Sequence, residues 1–454
     1  MSADTAQRIA DRSSTSAPRR LSRLGRVART AGPVVLTPVV LVLVLVVGVR
    51  TPVVGIAGMV AAVGIVMVAT RGFEQSACIL LVGAFALAPM DRLRPVPGVG
   101  FVSASDLLMF LGFGLLVVVL IGRRVRPRGL YVAGASAVLV AGLLVCWASP
   151  DTALSLAIMV RLVVGAVLLP LLLMLWAPGL FVLRLLAGAY VLGNAANVAY
   201  GTVAGPKNFE GRILGYSEHY NVLGLCALLG LALVPFLMRE ARREHVWIWA
   251  ALGLACAYGI WASGSRAALL VAALVAVVYP VLARSIKLGL ALVGGGIVGL
   301  YVVGTAITSG DNSTNALGRL FGNGSASASD QVRENAARLA IEQFRSSPYL
   351  GNGFSDGTLD AHNVYLQIAA AGGIVLVASF LVLLAGVLRQ PFALGPSYRL
   401  LILPGLAYAL IAPLTSVIWD RYIWCVLALP FLVAIRSGRD DHDASDTPIE
   451  ELTR

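Results

Sequence analysis

The stretch DGTLDAHNVYLQIAAAGGIVLVASFLVLLAG, residues 356–386, sets His362 and Asn363 at the lip of a long apolar run. The chain has only four histidines, so one placed here asks for a reason. Two accounts are open from position alone. In the first, Asn363 caps the helix that follows and His362 simply faces water. In the second, a neutral imidazole takes a proton from an incoming hydroxyl, and Asn363 or a backbone carbonyl orients the ring.

The arginines offer a second kind of chemistry. Arg266 stands in SGSRAALL, directly before apolar residues. A snorkelling side chain has the same pattern, but the small residues ASGS favour a guanidinium held close to backbone. Arg212, in FEGRILG, belongs to a polar loop, where a solvated arginine is the default. Arg161 lies within DTALSLAIMVRLVVG, about 13 Å along its helix at the usual rise per residue. An ionisable group at that depth is a functional candidate, with a structural ion pair as the competing account. Arg319, Arg333, Arg338 and Arg345 crowd one long loop. Most of them are expected to face solvent or headgroups, and Arg333 alone is singled out. Together with His219, this side of the chain offers several guanidinium groups and two imidazoles. It has no cysteine pair and no dense carboxylate cluster, which is poor for a metal site. It suits a diphosphate, whose oxygens guanidinium forks match two at a time. At a membrane surface, such a group implies a lipid-linked pyrophosphate.

The elements that must position these residues are membrane helices. The 454 residues are 58% hydrophobic and 13% charged, with a mean hydropathy of +0.85, which a water-soluble fold could not bury. A bilayer core about 30 Å thick takes roughly 20 apolar residues per helical crossing, and lipid admits only helices or closed barrels. Unbroken Leu/Val/Ala runs without alternation exclude the barrel. The expectation is an all-α polytopic protein with about 12–14 crossings. Fourteen runs are legible, near 33–49, 52–70, 75–90, 104–122, 130–148, 152–175, 180–202, 220–238, 246–262, 266–283, 286–305, 364–388, 398–414 and 420–436.

Charge sets the orientation. The net charge is +12, but seven arginines between Arg8 and Arg29 fill a Ser-rich N-terminal tail. That distribution reads as a cytoplasmic tail touching anionic lipid, not as a nucleic-acid surface or a cleaved signal. With the N-terminus inside, the connections TRGFEQ, GRRVRPRG, MREARREH, ARSIK and LRQPFALGPSYR all fall on the positive, inner side. The expected organisation is therefore a disordered basic tail over 1–32, crossings over 33–305, a long outer loop over 306–362, crossings over 363–436, and a disordered tail over 437–454. Within the loop, Val332, Ala336, Leu339, Ile341 and Phe344 fall near one helical face, which predicts an amphipathic helix on the membrane surface. The five cysteines fall inside apolar runs without metal or redox spacing and read as packing residues.

Three segments resemble a known family. They are EGRILGYSEHYNVLG, WASGSRAALL, and VRENAARLAIEQFRSSPYLGNGFSDGTLDAHNVYLQIAAAGGIVLV. The last carries an arginine, an amphipathic helix, P-x-x-G-x-G, then HN-x-Y-L-Q and a small-residue turn. This is similar to the O-antigen ligase and O-antigen polymerase superfamily of bacterial envelope proteins, over roughly residues 200–385. The resemblance implies a metal-independent, cofactor-free glycosyltransferase of the bacterial plasma membrane. Its active site faces outward and it uses a polyprenyl-pyrophosphate-linked glycan as donor and a glycan or lipid hydroxyl as acceptor. By resemblance, His362 activates the acceptor, while Arg212 and Arg266 hold the pyrophosphate. Arg161, Arg333, His219, Asn221, Asn363 and Tyr365 complete the expected substrate-binding set. Family members often carry a glutamate before the glycine turn, where this chain has IAAAGG, so no carboxylate role transfers there.

Two other classes compete. A flippase for the same lipid-linked sugars would place charges along a central path between paired halves, whereas these polar features gather on one side. A metal-dependent transferase would want a close acidic pair, and Asp91 and Asp106 lie apart in sequence. Lysine occurs only at Lys207 and Lys287, which with the Ala/Val/Gly richness suggests a GC-rich bacterial host. Nothing in these residues separates ligase from polymerase, since the two differ in acceptor.

Overall fold

A computed structural model describes residues 52–94, 102–121, 129–308, 315–322, 324–355 and 361–433. The run at 33–49 and both tails lie outside the described residues. The described chain divides into two compact units, 52–79 with 114–119, and 80–113 with 120–433. The first unit holds most of α1 (Pro52–Leu87), a helix broken at Gly72, where φ of 80° departs from helical geometry. All side chains discussed below belong to the second unit.

The remaining helices follow in order. They are α2 (Ala104–Leu120), α3 (Leu130–Ala148), α4 (Thr152–Trp176), α5 (Leu180–Val203), α6 (Tyr220–Glu240), α7 (Val246–Ala262), α8 (Arg266–Ala283) and α9 (Ile286–Thr308). The long loop then carries α10 (Ala316–Leu320) and α11 (Ala326–Ser346). The chain closes with α12 (Val364–Ala393), α13 (Ile402–Ile411) and α14 (Arg421–Leu427). Among the described residues, nine helices are long and apolar enough to cross a membrane, and Ala104–Leu120 and Ile286–Gly299 are shorter apolar helices. The protein is all-α and polytopic.

The runs at 52–70 and 75–90 meet at a kink at Gly72, whose φ of 80° no regular helix holds. One departure from the expected spans has a physical reason. The run at 420–436 does not form a regular crossing within its described part. It folds as α14 followed by a 3₁₀ turn, Leu429–Leu432, broken by Pro430. Seven helical residues rise only about 10 Å, and residues 422–432 are buried in protein.

Glycines set the closest helix contacts. A Cβ on Gly134 of α3 would collide with the Leu383 backbone of α12, and one on Gly386 of α12 would meet the Tyr131 backbone at 2.5 Å. Small residues thus let two backbones touch, the packing that lipid favours when burial alone supplies no drive between helices. Helix α6 is the centre of the bundle: Leu223 through Gly230 are buried on every side. Its first turn abuts ASGS, since a Cβ on Gly224 would lie 2.6 Å from Ser265 Cβ. The start of α6 is thereby fixed against the start of α8.

Candidate active site

The loop between α5 and α6 is held from below by one buried amide. Asn197 donates to Pro89 O (2.9 Å) and Ser217 Oγ (3.0 Å), and its carbonyl accepts from the Tyr216 amide at 2.7 Å. Ile213 N–H donates to Ala262 O at 3.1 Å, tying the same loop to the end of α7. Arg212 sits between these ties and is 3% exposed. Its Nε donates to Ser263 O (2.7 Å), its Nη2 to Asn221 Oδ1 (3.1 Å), and its guanidinium carbon lies 3.3 Å from the Tyr220 ring centroid. The loop was expected to solvate this arginine, but the small residues of ASGS hold it instead of Arg266. Burial, followed by the charge of Arg319, lowers its pKa to about 10, against the opposing pull of Tyr220 and Glu210.

The long loop docks on the same place through charge. Arg319 of α10 donates to Glu210 at 2.8 Å and to Ser325 Oγ at 3.1 Å, and the Ser325 amide donates to Glu210 at 2.6 Å. Glu210 also lies 4.0 Å from Arg212. Arg319 is therefore not a headgroup-facing residue, as its loop position suggested; it is buried beside its partner. Burial alone would raise the Glu210 carboxyl, but the two bonds from Ser325 and the charges of Arg319 and Arg212 outweigh it and hold the pKa low. One turn further on, Arg266 forks onto Asp330 of α11 through Nη1 (2.9 Å) and Nη2. Arg333 stands beside this pair. Burial, then the nearby Arg266, lowers its pKa. Four guanidinium groups (Arg212, Arg266, Arg319, Arg333) against two carboxylates (Glu210, Asp330) leave a charge of +2 on this cluster.

Both expected histidines join it. His219 caps α6, its Nδ1 accepting from the Asn221 amide at 3.2 Å, which fixes the neutral form. Desolvation by the surrounding loops, then the charges of Arg212, His362 and Arg333, push it down to about 4. The residue itself is solvent-exposed, so the neighbouring arginines are the firmer part of that cause. His362 lies within electrostatic reach of His219 and has a φ of 49°, in the left-handed region that histidine visits more readily than most residues.

A bracket of backbone bonds holds His362 there. Helix α12 breaks at Gly373, where φ is 60°, freeing two carbonyls. The turn 347–353 fills the break: Asn352 N–H donates to Ala370 O and Gly353 N–H to Ala371 O, both at 2.9 Å, while Ile374 N–H donates to Pro348 O at 2.9 Å. Ala361 is buried with Ala340 of α11 and Ala370 of α12. His362 is thus gripped by a buried alanine on one side and a helix cap on the other.

The other expected residues each have a structural partner. Asn363 accepts from Leu366 N–H at 3.1 Å, so its carbonyl caps α12. Asn221 holds Arg212. Tyr365 donates to Ala409 O of α13 at 3.1 Å and ties two helices together. Arg161 is exposed on α4 and lies within electrostatic reach of Asp420. Helix α11 spans the amphipathic stretch, but its apolar residues divide. Ala336 and Phe344 are half-buried, whereas Val332 and Leu339 are 60% and 51% exposed. The inward stripe is Ala326, Ser329, Arg333, Ala336 and Ala340, because docking on α12 needs small side chains. Among the described residues, no group of three or more His, Cys, Asp or Glu side chains is arranged to hold a metal ion. Sequence reading missed Glu210, Arg319 and Asp330; all three are ordinary loop charges until their partners arrive across 60 residues or more.

Residues 250–381 match the family model described as O-antigen ligase. That segment runs from α7 through the broken part of α12 and contains Arg266, Asp330, Arg333 and His362. No curated protein matches the chain.

Proposed function

On the strength of the match of residues 250–381 to the family model described as O-antigen ligase, we propose that the chain is a membrane glycosyltransferase of the O-antigen ligase and polymerase superfamily. It moves or polymerises a glycan from a polyprenyl-pyrophosphate donor onto an acceptor hydroxyl. The reaction takes place at the outer face of the bacterial plasma membrane. One observation supports this reading: His219 and His362 lie within electrostatic reach of each other, His219 also of Arg212 and Arg333, beside the Arg266–Asp330 pair through which the long loop docks.

The cluster charge of +2 complements a diphosphate. Arg212, Arg266 and Arg333 hold it and stabilise the charge that grows on the leaving group, which is usually the largest single contribution in such transfers. This is the electrostatic work a divalent cation would otherwise supply. Arg212 is held on three sides, so its geometry is set before donor binds. His362 accepts the proton of the acceptor hydroxyl as its oxygen attacks the anomeric carbon. The bond from that carbon to the diphosphate breaks, its electron pair passes to the phosphate oxygen, and configuration inverts. His219, neutral and hydrogen-bonded at Nδ1, orients the acceptor without competing for its proton.

The test is transfer by the full-length protein in lipid nanodiscs with a lipid-linked donor. His362→Ala should abolish product, since base catalysis contributes about 10²–10⁴-fold, while the variant inserts and elutes as wild type does. Wild-type rates in that variant would remove the assignment, and loss of wild-type activity in EDTA would remove metal independence. Deleting the gene separates the two acceptors: single units without long chains indicates a polymerase, and unattached polymer indicates a ligase.

A further inference from the structure

An open cavity of about 510 Å³ lies beside the loop between α5 and α6 that also carries Arg212. Its walls include Arg92, Arg94, Tyr200, Tyr216 and Glu218. Tyr200 and Tyr216 stack with centroids 4.1 Å apart and planes 13° off parallel. Arg94 pairs with Glu218. The proposed transfer chemistry uses none of these five side chains.

The walls are built, not incidental. The Arg92 amide donates to Tyr216 O at 2.9 Å and the Glu218 amide to Asp91 Oδ1 at 2.8 Å, which joins the 89–94 and 215–218 segments. Asn197 fixes the Tyr216 amide from beneath. Gly215, at φ of 59°, lies so close to Asn197 that a Cβ would collide with its side-chain oxygen. The loop is therefore rigid between the cavity and the arginine cluster. Tyr216 and His219 are three residues apart, at most about 11 Å along a fully extended chain.

Resting on the glycosyltransferase reading, we propose that this cavity is a saccharide subsite that holds a pyranose ring of the glycan next to the transfer centre. An aromatic face carries partial negative charge and attracts the C–H-rich face of a sugar ring. The tyrosine pair supplies such a face, rigid and half-buried. Guanidinium and carboxylate groups at its rim supply donors and an acceptor for ring hydroxyls, the mix of apolar wall and few polar groups that small-ligand sites show. Two arginines against one glutamate also admit an acidic sugar. The ring comes from either the donor or the acceptor glycan; both present the same chemistry.

Saturation-transfer NMR tests this on full-length protein in nanodiscs, with the methyl glycosides of glucose, galactose, mannose, rhamnose and glucuronic acid as probes. Wild type should saturate the ring C–H protons of at least one probe. Tyr216→Ala and Tyr200→Ala should weaken its binding about tenfold, whereas Tyr200→Phe and Tyr216→Phe should keep it. Arg92→Ala, an exposed position, covers the case in which an alanine variant elutes as misfolded, and should also weaken binding. His362→Ala should bind the probe as wild type does, so that a failed transfer mechanism leaves this subsite standing. No saturation of any probe by wild type, or unchanged binding in the alanine and Arg92 variants, overturns the proposal. In the transfer assay, Tyr200→Ala should raise the KM for donor if the ring is the donor's, and for acceptor if it is the acceptor's. A rise in neither overturns it.

Discussion

Glu210 and Arg319, 109 residues apart, meet at 2.8 Å with 4% of each side chain exposed. Arg212 Nη1 lies 4.0 Å from the same Glu210 oxygen, and its side chain is 2% exposed. One buried carboxylate is thus shared by two buried guanidinium groups, and one of the two belongs to the long loop. Burying three charges is costly, and such a triad is a poor source of stability compared with an apolar core. What it does is make the loop's docked position conditional on Glu210.

Removing that carboxylate leaves two buried cations without their counter-charge. Glu210→Ala should destabilise the docked loop by about 3–5 kcal/mol. Limited proteolysis should then cut within 315–346 while the helices resist, and transfer should fall below detection. Glu210→Gln, which keeps one acceptor oxygen for either Arg319 or the Ser325 amide but loses the second acceptor and the charge, should fall between. A proteolysis pattern identical to wild type in Glu210→Ala would show that the loop docks without this pair.

The fork between Arg266 and Asp330 has the geometry that a phosphate would use. Asp330 is half-exposed at its side chain, 56%, so its grip is weak and a diphosphate can displace it. Asp330→Asn should therefore tighten donor binding several-fold, measured as a lower donor KM. Arg266→Lys should weaken transfer at least tenfold despite the retained charge, because an ammonium offers no planar fork. If Asp330→Asn weakens donor binding instead, the carboxylate serves to hold Arg266 rather than to occupy it.

How much of this could be read from the chain depends on the range of the interaction. Helix spans are local hydropathy, and ten of the fourteen runs appear as α2 to α9, α12 and α13 with ends near those expected. The Asn363 cap and the α11 helix are also local patterns, and both accounts offered for the His-Asn pair were framed from them. Arg319 could not be assigned, because its partner stands in another loop and loop arginines are normally solvated. Arg161 shows the opposite limit: depth along a helix does not say which face a residue occupies, and its side chain is exposed. Gly373 breaks α12 inside an apolar run whose hydropathy is continuous, so no window over composition reveals it, whereas the break at Gly72 falls in the polar TRGFEQ connection.

Acidity gives a further handle, on the segment behind the saccharide cavity. Burial, then the charge of Glu218, raises Asp91 to about 7. The unfolded chain loses that proton near pH 4 and the folded chain keeps it to about 7, so the folded state binds more protons across this window. Stability from this group is present below pH 4 and is lost as pH rises through 7. Asp420, raised to about 6 chiefly by burial, acts in the same direction. Asp91→Asn, whose amide oxygen still accepts from the Glu218 amide, should gain Tm relative to wild type progressively from pH 5 to pH 8. Scanning fluorimetry in detergent checks it, and a constant difference between the two proteins over that range rejects the role given to Asp91.

The bracket between the 347–353 turn and α12 makes the sharpest demand on single atoms. Gly373 holds φ of 60°, where most residues are strained, and a Cβ there would collide with the Tyr349 carbonyl. Gly351, at φ of 68°, meets the Ala371 carbonyl in the same way from the opposite strand of the bracket. Gly373→Ala must push the turn outward, breaking the bonds to Ala370 and Ala371 that set Ala361 and hence His362. A misplacement of about 1 Å can cost on the order of 10²-fold in rate. We expect kcat to fall by that order with donor KM nearly unchanged, because the arginines lie on other elements. Hydrogen exchange should rise at the Asn352 and Gly353 amides in step with the loss of rate. A variant with normal kcat and exposed amides would show that the imidazole's position does not depend on the bracket.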